Sequence, residues 1–210
     1  GLVAGTITGL IHVKLKVRDI LASIIMMTAL YSVNLRIAGK ANLPIYNCDN
    51  IYNNRVMDRI FAGVLAQYKN LIVIAVIVLL VKCVLDWYLK TKSGYLLKAV
   101  GDNETLVTSM GIDKGKIKIL GLAIAIGLVS LGGSMFAQQQ RFFDASMGVG
   151  TAVIGLASVI IGTALFGQIS AFGFSISVIL GSILYKGCVA AAIRIGLQST
   201  DLKLVTAVLF

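Results

Sequence analysis

Charged residues are scarce in this sequence. They make up 13% of its 210 residues, whereas 58% are hydrophobic and the mean hydropathy is +0.91. A water-soluble domain carries roughly 25% charged residues. The composition therefore excludes an ordinary soluble globular domain and indicates a protein that lies largely within a membrane.

Cysteine, histidine and proline are also rare, with three, one and one residues respectively. Cys48, Cys83 and Cys188 are far apart and follow no metal or redox spacing, so neither a disulfide framework nor a metal site is expected. His12 lies near the end of an apolar run, which is typical of an interfacial residue rather than of a ligand. The single Pro44 marks a loop.

Acidic residues number 9 against 19 Lys and Arg, which gives a formal net charge of +10. In a soluble chain such an excess would suggest nucleic acid. In a membrane protein it marks cytoplasmic loops and contacts with anionic lipid. Membrane lipid is therefore the expected partner, and nucleic acid is not.

Long hydrophobic runs occupy most of the chain. A helix needs about 20 apolar residues to cross a bilayer, with about 17 to 25 tolerated. The uncharged stretch 145–185 is twice that length, so we expect it to fold back at 167–173. We predict an all-α polytopic protein with about five full spans, at 20–35, 71–89, 119–137, 147–166 and 174–193. Two truncated spans, 1–13 and 202–210, and the absence of an initial Met suggest a fragment of a longer chain.

Glycine is abundant within these runs, with 22 in the chain. Gly1, Gly5 and Gly9 stand four apart on one helical face, a pattern that lets two helices approach closely. In the run 147–166 glycine recurs every five to seven residues from Gly150 on, which favours either close packing or a broken, partly re-entrant helix.

Two polar segments separate the spans. The segment 36–70 holds Pro44 and five asparagines between Asn42 and Asn54, and helical apolar spacing from 56 to 68 indicates an interfacial helix. The segment 90–118 carries six lysines, and 14–18 carries three Lys or Arg. Alternation and the positive-inside rule predict that 90–118 is cytoplasmic and 36–70 external.

The predicted cytoplasmic segment contains a compact helical pattern at 91–112, "TKSGYLLKAVGDNETLVTSMGI". It lies between two strongly apolar runs. Gly101 permits a tight turn, and Asp102 or Asn103 can cap the following helix. Glu104 sits where a carboxylate favours the positive end of the helix dipole. Gly111 is placed to end the helix.

Leu106, Val107 and Met110 are expected to share one apolar face of that short helix. Two interpretations follow: a loop that packs on its own protein, or a docking element for a cytoplasmic partner such as a separate ATPase. The chain has no nucleotide site of its own, because "GIDKGKI" at 111–117 has three residues between its glycines rather than four and Ile117 in place of the Ser or Thr that binds Mg²⁺. We therefore expect that this chain is not itself an ATPase enzyme.

The same stretch resembles the cytoplasmic loop of ABC importer permeases of the branched-chain amino-acid and ribose type. The matching residues are Gly94, Leu96, Leu97, Lys98, Ala99, Gly101, Asp102, Asn103, Gly111 and Ile112. The resemblance covers nearly the whole chain and is strongest to permeases paired with tryptophan/tyrosine-type binding proteins. The uncharged "GQISAFG" at 167–173 departs from relatives, which tend to carry basic residues there.

The resemblance implies a single type II-like permease domain over 1–210 in a bacterial inner membrane. Its implied partners are a cytoplasmic ABC ATPase, an extracytoplasmic substrate-binding protein and a second permease copy, expected as a homodimer. This chain would bind no cofactor, since ATP and Mg would belong to the ATPase. The implied ATPase-coupling residues are Ala99, Gly101, Asp102, Asn103, Glu104, Leu106, Met110 and Gly111.

Polar side chains in or beside the spans are candidates for the translocation pathway, because they are costly in lipid unless they face water or protein. The candidates are Asn34, Gln138, Gln140 and Ser158. Hydrogen bonding between helices explains each of them equally well.

Two other functions stay open at this stage. An ion-gradient-driven secondary transporter would need ionisable groups deep in the spans, and few are present. A non-transporting subunit of a membrane complex would leave 99–111 without a role. An aromatic amino acid is suggested by the resemblance alone, and a branched-chain amino acid, a nucleoside or a sugar remains possible as the substrate.

Overall fold

The computed structural model describes residues 1–46, 50–52, 68–148, 151–167 and 173–194. The chain divides into two compact units, residues 1–146 and 147–210. Most of the predicted interfacial helix at 56–68, most of the break at 167–173 and the whole apolar run at 202–210 lie outside the described residues.

Helices dominate both units. The first unit contains α1 (Leu2–Lys14), α2 (Asp19–Ala38), α3 (Lys69–Leu89), α4 (Lys92–Asp102), α5 (Glu104–Ser109) and α6 (Lys114–Gln140), together with β1 (Asn42–Pro44) and β2 (Phe142–Asp144). The second unit contains α7 (Thr151–Phe166) and α8 (Phe174–Arg194). The predicted all-α polytopic class is confirmed, with one small two-stranded sheet added.

Four of the five predicted full spans are helices long and apolar enough to cross a membrane, namely α2, α3, α6 and α8. The fifth, predicted at 147–166, is shorter: α7 has 16 residues. At about 1.5 Å per residue this helix is about 24 Å long, less than the ~30 Å hydrocarbon core. Residues 147–148 at the start of that run lie in a turn, and the Thr151 amide and hydroxyl both donate to the Gly148 carbonyl at 3.2 and 2.7 Å.

The glycine face of α1 packs directly on α6, as the spacing predicted. A Cβ atom placed on Gly5 would lie 2.6 Å from Cα of Ala123, and one on Gly9 would lie 2.8 Å from Cα of Ile119. Such distances are far inside van der Waals contact. The two helices therefore approach backbone to backbone, which only residues without a side chain allow.

The α1–α6 contact runs antiparallel and so defines two ends of the first unit. Leu2 packs against Gly127, and Val13 packs against Gly115. The basic turn 14–18 therefore lies beside the start of α6 and the segment 90–118. We call these two segments together the lysine-rich end.

A small antiparallel sheet marks the opposite end. Asn42 pairs with Asp144 and Pro44 with Phe142. The ladder is extended where the amide of Ile45 donates to the carbonyl of Arg141 at 2.9 Å. This sheet joins the segment after α2 to the segment after α6. The start of the 36–70 segment and the 90–118 segment thus lie at opposite ends of the first unit. Which of the two ends is cytoplasmic stays a prediction.

The second unit is a tight helical hairpin of α7 and α8. Gly162 lies against the backbone of Ser177, and Gly181 lies against the carbonyl of Ser158 and the backbone of Gly162. Of the two interpretations of the glycine-rich run, close packing is the one seen in Thr151–Phe166, which is a continuous helix.

We expect Gly5→Ala to destabilise the first unit. The new methyl group would collide with the backbone of α6, and overpacking of this kind costs about 1–3 kcal/mol. Thermal unfolding of the detergent-solubilised full-length protein measures the effect as a lower Tm. Gly133→Ala is the matched control, because its Cβ would meet nothing within 4 Å. Equal melting temperatures for the two variants would contradict the close contact.

Candidate functional site

The segment 90–118 begins with a sharp turn from α3 into α4. The hydroxyl of Thr91 accepts a hydrogen bond from the amide of Gly94 at 3.3 Å and so caps α4. A Cβ atom on Gly94 would lie 2.5 Å from Cα of Leu89, so no larger residue fits this turn. Farther along α4, the side chain of Leu97 packs against Gly121 of α6. Helix α4 is thereby held against both spans.

The connection between α4 and α5 differs from the sequence prediction. Gly101 lies inside α4 with open space around it, and not in a tight turn. The chain turns instead at Asn103, whose φ of −149° and ψ of 94° are extended backbone that any residue adopts. Its side-chain oxygen accepts from the amide of Leu106 at 3.0 Å. Of the two predicted caps, Asn103 therefore caps α5, and Asp102 is the last residue of α4.

Helix α5 ends at glycine, as predicted. Gly111 has φ +75°, a left-handed conformation that favours glycine. The Gly111 amide donates to the Thr108 carbonyl at 3.0 Å, and the Ile112 amide donates to the Val107 carbonyl at 3.4 Å. This pair of bonds is the Schellman motif. Both ends of this six-residue helix are thus capped.

The predicted apolar face of α5 is divided between two sides. Val107 is only 1% exposed and faces the protein, whereas Leu106 is 54% exposed and Met110 is 68% exposed. The expectation that all three share one face is wrong, because adjacent residues point about 100° apart on a helix. Leu106 and Met110 are four apart and do share a face. We call these two residues the exposed apolar pair.

Glu104 connects α5 to the start of α6. Its carboxylate binds Lys114 at 2.8 Å and Lys118 at 3.0 Å. Hydrogen bonds from these two ammonium groups lower the pKa of Glu104 from 4.5 to about 2. Glu104 lies in the first turn of α5, where the sequence placed it, and the structure adds ion pairs to α6.

The predicted coupling residues therefore belong to one two-helix element. Gly101, Asp102, Asn103 and the exposed apolar pair all face solvent, while Ala99 is half-buried and its carbonyl accepts from the amide of Asn103 at 2.9 Å. Sequence reasoning missed Tyr95, which is 60% exposed on α4. Tyr95 lies four residues before Ala99 and seven before Asp102, so helical periodicity places all three on one face of α4. That spacing is visible in the sequence and could have identified Tyr95.

The candidate pathway residues lie in different places. The Gln138 side-chain oxygen accepts from the amide of Ile51 at 3.2 Å, so this residue holds the described segment 50–52 against α6. Gln140 is exposed at the same helix end, and Asn34 is exposed on α2. Ser158 belongs to the second unit, is buried, and donates to the carbonyl of Ile154 at 2.8 Å. A role in translocation stays a prediction for all four.

A shallow cavity of about 340 Å³ lies beside these glutamines. Its walls combine the start of α3 with the end of α6. It is lined by Tyr68, Asn70, Leu71, Ile74 and Gln139. Sequence reasoning passed over these residues because nothing in the spacing links Gln139 to a helix 70 residues earlier.

Four helices long and apolar enough to cross a membrane, within the described residues, define the class as a polytopic membrane protein. The chain belongs to the family described as branched-chain amino acid transport system / permease component, which matches residues 1–210. It is therefore a transport permease component.

Individual relatives agree with this assignment. The chain is 41% identical over 208 residues to a tyrosine transport system permease protein of Clostridioides difficile (strain R20291), covering 99% of this chain and 66% of the relative. It is 27% identical over 209 residues to the uncharacterized protein RP368 of Rickettsia prowazekii (strain Madrid E), and the match covers 98% of this chain and 71% of the relative.

A more distant relative is the ribose import permease protein RbsC of Haemophilus influenzae (strain ATCC 51907 / DSM 11121 / KW20 / Rd). It is 25% identical over 170 residues, which cover 80% of this chain and 50% of the relative. The chain thus spans between half and about 71% of the length of these three relatives. No solved structure matches it.

We expect acid to loosen α5 only below the ordinary range of a glutamate. The pKa of Glu104 falls from 4.5 to about 2 on folding, so its stabilisation is complete above pH 4.5 and is lost as the pH falls towards 2. Hydrogen-exchange protection factors of the α5 amides should be constant from pH 7 to 5 and should decline below it.

The matched control for this experiment is Glu104→Gln, which removes the titrating group. Its α5 amides should be less protected at pH 7 and should show no further loss from this position on acidification. An identical decline in the variant and the parent would contradict the ion-pair connection.

Proposed function

We propose that this chain is the membrane-spanning permease subunit of an ATP-binding-cassette importer in a bacterial inner membrane. A separate cytoplasmic ATPase drives it, and an extracytoplasmic binding protein delivers a small solute, most simply an amino acid. The supporting observation is the exposed apolar pair, Leu106 and Met110, carried by a helix capped at both ends. The chain itself carries out no hydrolysis in this proposal.

Exposure of this pair is informative because of where it lies. Large apolar side chains on the spans face lipid, but α5 lies in a polar, lysine-rich segment outside the membrane-length helices. Leaving a Leu or Met side chain in water forgoes about 1.5–3 kcal/mol of burial free energy. An apolar groove on a partner protein would recover it.

The element is also mechanically connected to the spans. Glu104 is bound to Lys114 and Lys118, and Leu97 packs on Gly121, so α4 and α5 are both fixed to α6. Helix α6 in turn packs backbone to backbone on α1. A force on the exposed apolar pair would therefore move α1 and α6 together, as an alternating-access importer requires.

The proposed solute is an aromatic amino acid. This rests on the 41% identity to a protein whose name describes tyrosine transport. A ribose permease is a more distant relative, which supports the importer mechanism rather than the substrate. We infer a homodimer of permeases as the simplest assembly.

We expect the full-length permease purified from native membranes to bring down an ATPase subunit. Replacement of 99–111 by a Gly/Ser linker should abolish this, and Leu106→Glu with Met110→Glu should weaken it at least tenfold and stop uptake. Each glutamate would place a charge in an apolar groove.

The matched control is Thr105→Glu with Ser109→Glu, which adds the same two charges at exposed positions of α5. This control variant should lose clearly less ATPase recovery and uptake than the Leu106/Met110 variant. Normal ATPase recovery and uptake by the Leu106/Met110 variant would refute docking through this surface.

We expect vesicles containing the assembled importer to accumulate tyrosine in preference to leucine and ribose when supplied with ATP and the binding protein. Competition by unlabelled phenylalanine and tryptophan defines how aromatic the preference is. Accumulation of leucine or ribose instead would replace the proposed solute but leave the importer mechanism standing. Uptake driven by an ion gradient without ATP would overturn the mechanism itself.

A further inference from the structure

The basic turn between α1 and α2 has a fixed shape that its sequence does not reveal. The His12 Nδ1–H donates to the carbonyl of Val17 at 2.8 Å and faces the Asp19 carboxylate at 2.6 Å. Because both partners are acceptors, the proton lies on Nδ1. Lys16 adopts φ +53°, a left-handed conformation that is uncommon for a residue other than glycine.

This arrangement presents cations outward. Lys14, Lys16 and Arg18 are all exposed, and within the described ranges no ion pair involves any of the three. Asp19, the nearest acid in sequence, faces His12 instead.

A fourth cation comes from the neighbouring helix. Val13 packs against Gly115, so the turn lies beside the start of α6, where the Lys116 side chain is 85% exposed. Within the part of the chain that the structure describes, Lys116 forms one ion pair, to Asp113 at 3.7 Å, which is a long and solvent-exposed contact. Together Lys14, Lys16, Arg18 and Lys116 form what we call the basic turn surface.

The position of the surface points to the lipid headgroups. Helix α2 has 20 residues and spans about 30 Å, which equals the thickness of the hydrocarbon core. Its first residue follows Arg18 directly, so the turn lies at the level of the headgroups. Leu15, between two of the cations, is 68% exposed and can enter the acyl boundary.

We propose that the basic turn surface binds the phosphate groups of anionic phospholipids. Its clustered cations complement the negative surface potential of the membrane leaflet at this depth. The turn is fixed before lipid arrives, so binding does not have to order it. The proposal requires only that α2 spans the membrane and does not depend on ATPase docking.

The test is native mass spectrometry of the full-length permease released from nanodiscs of equal phosphatidylglycerol and phosphatidylcholine. The variant Lys14→Gln, Lys16→Asn, Arg18→Gln removes three charges, and Asn tolerates the left-handed backbone at position 16. We expect the ratio of retained phosphatidylglycerol to phosphatidylcholine to fall by about tenfold to a hundredfold.

The matched control is Lys90→Gln, Lys92→Gln, Lys98→Gln, which removes the same charge from the same end of the molecule. It should change the ratio by less than about threefold, because the proposal assigns lipid selection to the basic turn surface and not to the general positive charge of this end. If the triple variant fails to insert, Lys16→Asn alone should still lower the ratio by roughly fivefold, since one cation near the surface contributes about this factor.

Three results would overturn the proposal. An equal fall of the lipid ratio in the variant and the control would show that the overall positive charge of this end, and not the basic turn surface, attracts anionic lipid. An unchanged lipid ratio in the variant would show that the turn does not select lipid. An unchanged ratio together with loss of the co-purified ATPase would assign the surface to that protein instead.

Discussion

The backbone contact between α1 and α6 is the constraint on which the first unit depends. Lipid offers helices no hydrophobic reason to associate, so they must be held by van der Waals contact and hydrogen bonds. Gly5 and Gly9 supply that contact because neither places a side chain between the backbone of α1 and that of α6. The antiparallel pair then fixes which loops share an end, and it brings the basic turn to the start of α6.

The lysine-rich end shows how a polar segment can be ordered beside a membrane without a core of its own. Side-chain caps at Thr91 and Asn103 and the glycine at 111 satisfy the helix ends. Glu104 and Val107 then attach α5 to the rest of the unit through ion pairs and burial. What remains exposed is the apolar pair Leu106 and Met110, which the proposed ATPase would cover.

Sequence reasoning succeeded where a single physical rule acts along the chain. Apolar runs of about 20 residues predicted four of the membrane-length helices, and four-residue glycine spacing predicted the α1 face. It failed at Gly101, where glycine was assumed to mean a turn although an asparagine cap made the turn without it. It also failed to separate Val107 from Leu106, because periodicity over six residues is too short to fix a face.

The sequence by itself determined the helical class, the placement of the main spans, the capping of α5 by glycine and the membership of a permease family. These follow from local propensity, from hydropathy and from similarity. Only the tertiary structure decided that Glu104 pairs with two lysines of α6, that Gln138 holds the segment 50–52, and that the turn at 14–18 lies beside Lys116. Each of these joins residues of different elements, and the distance between them is set by how those elements pack rather than by any local pattern.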